Sequence, residues 1–557
     1  MNGPYVIGID FGTLSGRAVV VDVSTGEEVG VAVHPYQHGV ISDTLPDTDI
    51  SLQPDWALQD PADYIAVLQN AVPAALAQSP AQPSDIIGIG VDFTSCTMLP
   101  TTREGVPLCQ IPEWRQHPHA WVKLWKHHAA QPEADKINEV AHSTGFSHLL
   151  ARYGGKVNSE WLLPKIWQIL DEAPEIYDAA ERFIEAGDWL VWQLTGRETR
   201  NACAAGYKGM WSKAEGYPPP QFLKALDPRL RNLVAEKLGP EVLPLGTKAG
   251  TLTAEAAAWM GLPPQIPVAV AVIDAHAAAP AATLSGPGCM AIIMGTSNCH
   301  MVVSPEEVII PGISGVVADG ILPGLFGYEA GQACVGDHFA WFVENATPAA
   351  YAQEAAARNI SLYALLEEKA AQLQPGESGL LALDWWNGNR SVLVDADLTG
   401  LILGMTLTTK PEEIYRALIE ATAFGTRIII ETFIEHGIEI NEIVATGGLP
   451  DQNKLLMQIY ADVTGLPFYV AASSMTSALG AAMHGAVAAG SAAGGYDSLS
   501  QAARHMAKLR PEKYQPDMQA HLTYDVLYEE YKKLHDYFGR GQNYVMKRLK
   551  ELRRARQ

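Results

Sequence analysis

The sequence predicts an α/β protein built from two domains. Three observations carry that prediction. The chain opens on strand, turn, strand; a similar unit returns around a second Gly-Thr turn near residue 295; and apolar strands mix with one-sided helices throughout. The chain has 557 residues. At about 150 residues per domain there is room for two to four, each large enough to bury a core.

Tyr5–Asp10 is apolar and β-prone, Phe11-Gly12-Thr13 is a turn, and Arg17–Val23 is apolar again. A polar turn over Ser24–Glu27 leads to a third strand near Val29–Val33. Residues 61–78 set Ile65, Leu68, Val72 and Leu76 on one helical face, and Ile86–Asp92 is a short buried strand. The middle is mostly helical and rich in tryptophan, from Trp114 to Trp211, and reads as a helical insertion over about residues 115–240. Pro263-Pro264-Gln265-Ile266-Pro267 marks the interior boundary, because a helix precedes it and the apolar strand Val268–Ile273 follows. The predicted domains are therefore residues 1–264 and 265–490. In the second, Met290–Met294, Gly295-Thr296-Ser297 and Cys299–Val303 repeat the opening pattern. A long helix over 411–436, a strand at Ile443–Thr446, a Gly-Gly turn, a helix over Asn453–Thr464 and a strand at Phe468–Ala471 complete it. Residues 491–557 form a C-terminal helical extension. Within it 491–515 reads as a loosely ordered connection, and 521–538 as a helix with Leu527, Tyr531, Leu534 and Phe538 on one stripe.

Hydrophobic residues make up 48% of the chain and charged residues 18%, which excludes a disordered protein. Lys and Arg number 39 against 62 Asp and Glu, a net charge of −23. Binding to nucleic acid or an anionic membrane needs clustered cations, so neither is expected. The last eighteen residues are the exception, with seven Lys/Arg and one Glu; they read as a helix docked on the acidic body. No run of about 18 uncharged apolar residues is present, so no membrane span is predicted. The N-terminal segment lacks the basic start of a signal peptide. Six cysteines without a CxxC pair read as reduced thiols of a cytoplasmic protein.

P-loop, GxGxxG and HExxH patterns are absent. His117, His119, His127 and His128 cluster, but without metal-ligand spacing they read as surface or hydrogen-bonded histidines. Asp10-Phe11-Gly12-Thr13 ends a buried strand; it reads either as an ordinary hairpin turn or as a turn whose N–H groups cradle phosphate beside a carboxylate. Gly295-Thr296 has the same two readings. Asp274, at the end of the Val268–Ile273 strand, is either a general base or a solvated strand-end carboxylate. Gly447-Gly448 is a simple βα turn or a place where a flat ligand approaches the backbone. Trp385-Trp386 reads as packing.

The order of these features is more informative than any one of them. Two Gly-Thr turns, an aspartate just before the second and a later Gly-Gly turn resemble the superfamily of sugar kinases, actin and heat-shock-chaperone ATPases. The closest resemblance is to the FGGY carbohydrate kinases. Ile9-Asp10-Phe11-Gly12-Thr13 with Arg17 resembles their first phosphate segment, and Gly88-Ile89-Gly90-Val91-Asp92 the first connecting strand. Leu124-Trp125-Lys126-His127-His128 resembles the tryptophan segment that lines the sugar pocket, and Ser159–Lys165 the helix before the hinge. Thr446-Gly447-Gly448 resembles the adenosine segment, and Ala478-Leu479-Gly480-Ala481-Ala482 the second connecting helix. Gly206-Tyr207-Lys208, Asp274-Ala275-His276, Glu329-Ala330-Gly331-Gln332 and Asp384-Trp385-Trp386-Asn387-Gly388 resemble the subgroup acting on ribulose.

The resemblance implies two actin-like, ribonuclease H-like ATPase domains flanking a catalytic cleft. It implies ATP-dependent phosphorylation of L-ribulose at its 5-hydroxyl, in L-arabinose catabolism, with Asp274 as general base. Gly12, Thr13, Arg17, Gly295 and Thr296 would hold the phosphates of ATP, Gly447 and Gly448 the adenosine, and Asp10 a Mg²⁺ ion through water. Trp125, Lys208 and Glu329 would contact the ketopentose. A homodimer is compatible with it. Two alternatives stay open: an FGGY kinase for xylulose, D-ribulose or glycerol, and a nucleotide-switched binding protein of the actin or chaperone kind.

Overall fold

Tyr5–Phe11 (β1) is buried at all seven positions, the mark of a strand inside a sheet covered on both faces. In the computed structural model β1 takes that central place. The structure describes residues 3–239 and 241–556; Met1 and Asn2 of the N-terminal segment, Pro240 and Gln557 lie outside it. β1 pairs antiparallel with Ser15–Asp22 (β2), which pairs with Glu28–Pro35 (β3), and parallel with Ile86–Phe93 (β4). Lys248–Thr251 (β5), Pro267–Ala269 (β6) and Val272–Ile273 (β7) extend the sheet beyond β4. Pro61–Ala77 (α1) covers β2 and β3; Asp60 caps it by accepting from the Ala62 N–H, and Pro61 sits in the first turn, where no N–H is missed.

The expected strand Val268–Ile273 is broken in two. Val268 pairs with Ile89, and Val272 and Ile273 pair with Asp92 and Phe93. Asp274 is then the first residue of a helix, Asp274–Ala281, and not a strand-end residue. The inserted region also differs from expectation. Besides helices, including Ala202–Lys208 (α2), it carries strands Val122–Lys123 and Arg182–Glu185 of a small antiparallel sheet. Asp274–Ala281 is α3.

The second sheet repeats the first. Gly288–Met294 (β8) and Asn298–Ser304 (β9) are its antiparallel opening pair. Gly315–Ala318 (β10) and Phe326–Gln332 (β11) lie beyond β9. Ile440–Thr446 (β12) runs parallel beside β8, followed by Phe468–Ala471 (β13) and Leu509–Tyr514 (β14). Pro411–Glu435 (α4) lies against this domain. Thr476–Ala489 (α5) instead packs on β1 and β4 of the first sheet and on α3. It gets close because small residues meet there: a Cβ on Gly90 would lie 1.8 Å from the Ala481 carbonyl oxygen, and one on Gly480 1.8 Å from that of Ala277.

The segment 491–515 is ordered rather than loose. It holds a helix, Leu499–Met506, capped by Ser498, and then β14 on the sheet edge. In Met518–Gly539 (α6) the buried stripe is Tyr524, Tyr528, Tyr531 and His535, not the stripe read from hydropathy. The three tyrosine hydroxyls donate to Glu420, Glu431 and Asp384 at 2.9, 2.7 and 3.1 Å, which satisfies their polar ends inside the core. The basic tail, Val545–Arg554 (α7), docks on an acidic loop as expected: Lys547 meets Asp395 at 2.5 Å and Arg554 meets Asp397 at 2.9 Å.

Candidate active site

Both Gly-Thr turns leave the carboxyl end of a strand that has a parallel neighbour, where α/β sheets bind ligands. In the first turn the Gly12 N–H donates to the Ser15 carbonyl at 3.0 Å. The Tyr36 hydroxyl donates to the Gly12 carbonyl at 2.9 Å, and the Gln59 amide to that of Thr13 at 2.8 Å. In the second, the Gly295 N–H donates to Ser297, and the Val335 and Gly336 N–H groups donate to Thr296 and Gly295. The glycine N–H groups are thus engaged within their turns. Those of Thr13 and Thr296 have no acceptor among the described residues, and they are the donors each turn offers. Gly447 and Gly448 leave the end of β12, beside β8. Gly447 has φ +100° and runs so close that a Cβ would lie 2.4 Å from the Met294 carbonyl oxygen, which puts the Gly-Gly turn against the second Gly-Thr turn.

Three carboxylates gather at the end of the first sheet. Asp10 and Asp92 are register partners on β1 and β4, and Asp92 is also opposite Val272, two residues before Asp274. Arg17 meets Asp10 at 3.1 Å and reaches the Met475 sulfur at 3.6 Å. Neither oxygen of Asp92 finds a hydrogen-bond partner among the described residues. Burial, with the charge of Asp10 added, pushes Asp92 well above the usual carboxylate range, and burial raises Asp10 despite Arg17. Two carboxyls facing each other in a dry place ionise one at a time. Asp274 is pushed up to about 7, by burial first and then by Asp10, against the Ala275 N–H that donates to its Oδ1 at 2.7 Å.

Next to Asp274 lies a buried ion cluster. Lys208, the last residue of α2, meets Glu329 of β11 at 3.3 Å, so the pair joins the two domains. The His276 ring lies 3.5 Å from Glu329 and against Tyr207, with ring centroids 4.2 Å apart. Burial would raise Glu329, but Lys208, His276 and Arg390 outweigh it and hold it at about 2. Burial brings His276 down to about 4, so it is neutral near pH 7. Trp125 donates its indole N–H to the Thr13 hydroxyl at 3.1 Å, linking the tryptophan segment to the first turn. Lys165 fixes that segment from behind: its buried ammonium donates to the carbonyls of Cys96 and Leu124 at 2.6 and 2.7 Å.

The structure therefore brings Asp10, Gly12, Thr13, Arg17 and Trp125 together at one turn, Gly295, Thr296, Gly447 and Gly448 at another, and Asp274, Lys208 and Glu329 beside the first. A cavity of about 530 Å³ lies elsewhere, between His148, Tyr217 and Arg231 of the inserted region, and none of these residues lines it. Residues 5–280 match the N-terminal domain of the FGGY family of carbohydrate kinases, and residues 290–489 match its C-terminal domain. The chain belongs to the FGGY carbohydrate kinases. A ribulokinase of Geobacillus thermodenitrificans is 58% identical over 551 residues, covering 99% of this chain and 97% of that protein. A ribulokinase of Mycolicibacterium smegmatis is 50% identical over 550 residues, covering 99% and 96%. Among solved structures, a xylulose kinase from Rhodospirillum rubrum superposes with a TM-score of 0.78 at 24% identity, over 95% of this chain and 98% of that one.

Three residues of this FGGY kinase site escape sequence reading. Asp92 looked like part of a connecting strand; its polar side chain inside an apolar run was the available signal. Lys165 carried no signal apart from its place in an apolar helix. Arg390, two residues past the Trp-Trp-Asn-Gly run, looked like a loop cation. The histidine cluster is hydrogen-bonded: His119 meets Glu172 at 3.0 Å, His127 meets Gln168 at 2.9 Å, and His128 meets Ser159 at 3.3 Å. Trp385 is packing, 1% exposed and edge-on to His535.

Proposed function

We propose that this kinase phosphorylates L-ribulose at its 5-hydroxyl with ATP, yielding L-ribulose 5-phosphate for L-arabinose catabolism. The observation that carries the reading is the Lys208–Glu329 pair beside Asp274, on a chain 58% identical to a ribulokinase. A buried cation and anion side by side supply both donors and an acceptor, which suits a polyol whose hydroxyls donate and accept. Asp274 takes the proton of the 5-hydroxyl as its oxygen bonds to the γ-phosphorus and the bond to the ADP oxygen breaks. Its raised pKa, near the working pH, suits a general base. The free N–H groups at Thr13 and Thr296, with Arg17, hold the phosphates, and Gly447 and Gly448 flank the adenosine. Trp125 walls the sugar.

Phosphoryl transfer is chiefly positioning and charge stabilisation. Mg²⁺ prefers oxygen ligands and keeps several waters, so one or two carboxylates suffice for it. Asp10 and Asp92 fit that need, since the Asp92 oxygens have no donor among the described residues; no larger cluster of His, Cys, Asp and Glu among those residues could hold a metal. When bound, the ion would neutralise phosphate charge. The local cations and N–H groups matter because the chain's charge of −23 repels ATP at long range. All six cysteines are free thiols, as in a cytoplasmic enzyme.

The test is ADP release from purified protein with L-ribulose, D-ribulose, L- and D-xylulose and glycerol. The highest kcat/KM is expected with L-ribulose, and a clear preference for another substrate would refute the assignment. Lys208→Ala leaves Glu329 buried without its cation, a change that costs about 3–5 kcal/mol in such pairs. It is expected to raise the KM for L-ribulose far more than that for ATP. Equal rises would assign Lys208 to the nucleotide or to the fold.

A further inference from the structure

Arg390 sits on a loop held against the site strand β11. The Ser391 N–H donates to the Gly331 carbonyl, and the Gly331 N–H donates back to the Ser391 hydroxyl, both at 3.1 Å. The Arg390 side chain then crosses β11 at Gly331. A Cβ there would lie 2.8 Å from Arg390 Cδ and 3.3 Å from its Nη1, so a larger residue at 331 would displace it. Glu329 and Gly331 point to the same face of the strand, and Arg390 shares that face with Glu329.

The guanidinium is half-buried. Among the described residues no hydrogen-bond acceptor or ion-pair partner reaches it. The ionisable groups around it are Cys299 and Glu329 of the second domain and Glu160 and Cys96 of the first. Its five N–H donors therefore face the space between the domains without protein acceptors, an unfavourable state for a partly desolvated cation unless a ligand fills it. Position along the site says which ligand. The charges that act most on Asp274 are Asp10, Glu329 and Lys208; those that act most on Glu329 are Lys208, His276 and Arg390. The row runs from Asp10 through Asp274 to the Lys208–Glu329 pair and ends at Arg390, away from the phosphates.

We infer that Arg390 is a sugar-positioning residue, donating hydrogen bonds to the hydroxyl on C1 of the ketopentose, at the end remote from the reacting 5-hydroxyl. This rests on the ribulose reading above. The planar fork offers several donors at a fixed angle, which a lysine cannot reproduce.

The test measures initial rates of wild type, Arg390→Met, Arg390→Lys and Glu160→Gln with L-ribulose and with 1-deoxy-L-ribulose, varying sugar and ATP in turn. Arg390→Met should raise the KM for L-ribulose at least about tenfold, the size of a hydrogen bond from a charged donor, with the KM for ATP within about twofold. Wild type should favour L-ribulose over its 1-deoxy form, and Arg390→Met should no longer distinguish them. Arg390→Lys should fall between, and it stands in should the methionine variant not fold. Glu160→Gln should stay near wild type. The inference is overturned by an unchanged KM for L-ribulose, by equal rises for sugar and ATP, or by equal losses in Arg390→Met and Glu160→Gln, which would make Arg390 an interdomain ion-pair residue. Wild type inactive on L-ribulose refutes the ribulose reading and this one with it; an active wild type with an unaffected Arg390→Met refutes this one alone.

Discussion

Replacing Asp274 with asparagine is expected to cut kcat by about 10²–10⁴-fold, the usual worth of a positioned general base, and to raise the melting temperature. Asparagine keeps the shape and the oxygen that accepts the Ala275 N–H, so the start of α3 should hold. It cannot accept the substrate's proton. The stability gain follows from the same burial that tunes the base. Asp274 has an ordinary value of 3.8 and is pushed up to about 7 in the fold. Between those values the folded chain keeps a proton that the unfolded chain releases. The stabilising contribution is complete below about 3.8 and lost as pH rises through about 7. Asparagine removes the buried charge, so its advantage should be largest above pH 7 and fade towards pH 4. In wild type, kcat/KM for the sugar should rise about tenfold per pH unit up to about 7 and then level. Near-normal turnover in the variant, or a wild-type profile that keeps falling only below about pH 5, would remove Asp274 from the role of base.

How much of this was legible depended on whether the signal was local. β1, β2, α1 and β8 each hold a continuous apolar pattern, and each appears within a few residues of its predicted range. The second Gly-Thr turn looked like weak internal similarity, and it marks a repeated sheet because the same antiparallel pair with a parallel neighbour is built twice. The misreadings come from partners distant in sequence. The α6 stripe was misplaced because three tyrosines bury their rings only by finding Glu420, Glu431 and Asp384 on other elements. β14, Leu-Arg-Pro-Glu-Lys-Tyr, has no β pattern of its own and forms because β13 offers an edge. The strand before Asp274 was read as continuous although Val270 and Ala271 break it, since apolar character alone does not encode pairing. At the site, Lys208, Glu329 and Asp274 could be named through family resemblance, but not as an ion cluster between domains. Arg390 had neither pattern nor resemblance, and only the fold brings it to Glu329.

Gly480→Ala is expected to lose stability and activity together, though its side chain would touch no ligand. The added Cβ would lie 1.8 Å from the Ala277 carbonyl oxygen and 2.5 Å from its carbon, so α3 and α5 must part by more than an ångström. α5 has nowhere to retreat, because on its other side the Ala481 carbonyl already lies where a Cβ of Gly90 would be. Overpacking costs about 1–3 kcal/mol and occasionally more; with backbone on both sides the cost should reach the upper end. Ala277 is three residues beyond Asp274, so moving α3 moves the base, and a displacement near 1 Å can cost about 10²-fold in rate. Gly286→Ala is the control, since nothing lies within 4 Å of its Cβ. Thermal melts and kcat of both variants decide it: wild-type values for Gly480→Ala would mean that the two helices do not meet this closely. The opposite signs are informative together. Asp274→Asn should lose turnover while gaining stability, because it removes the reacting group and its buried charge. Gly480→Ala should lose both, because it keeps the group and spoils its placement.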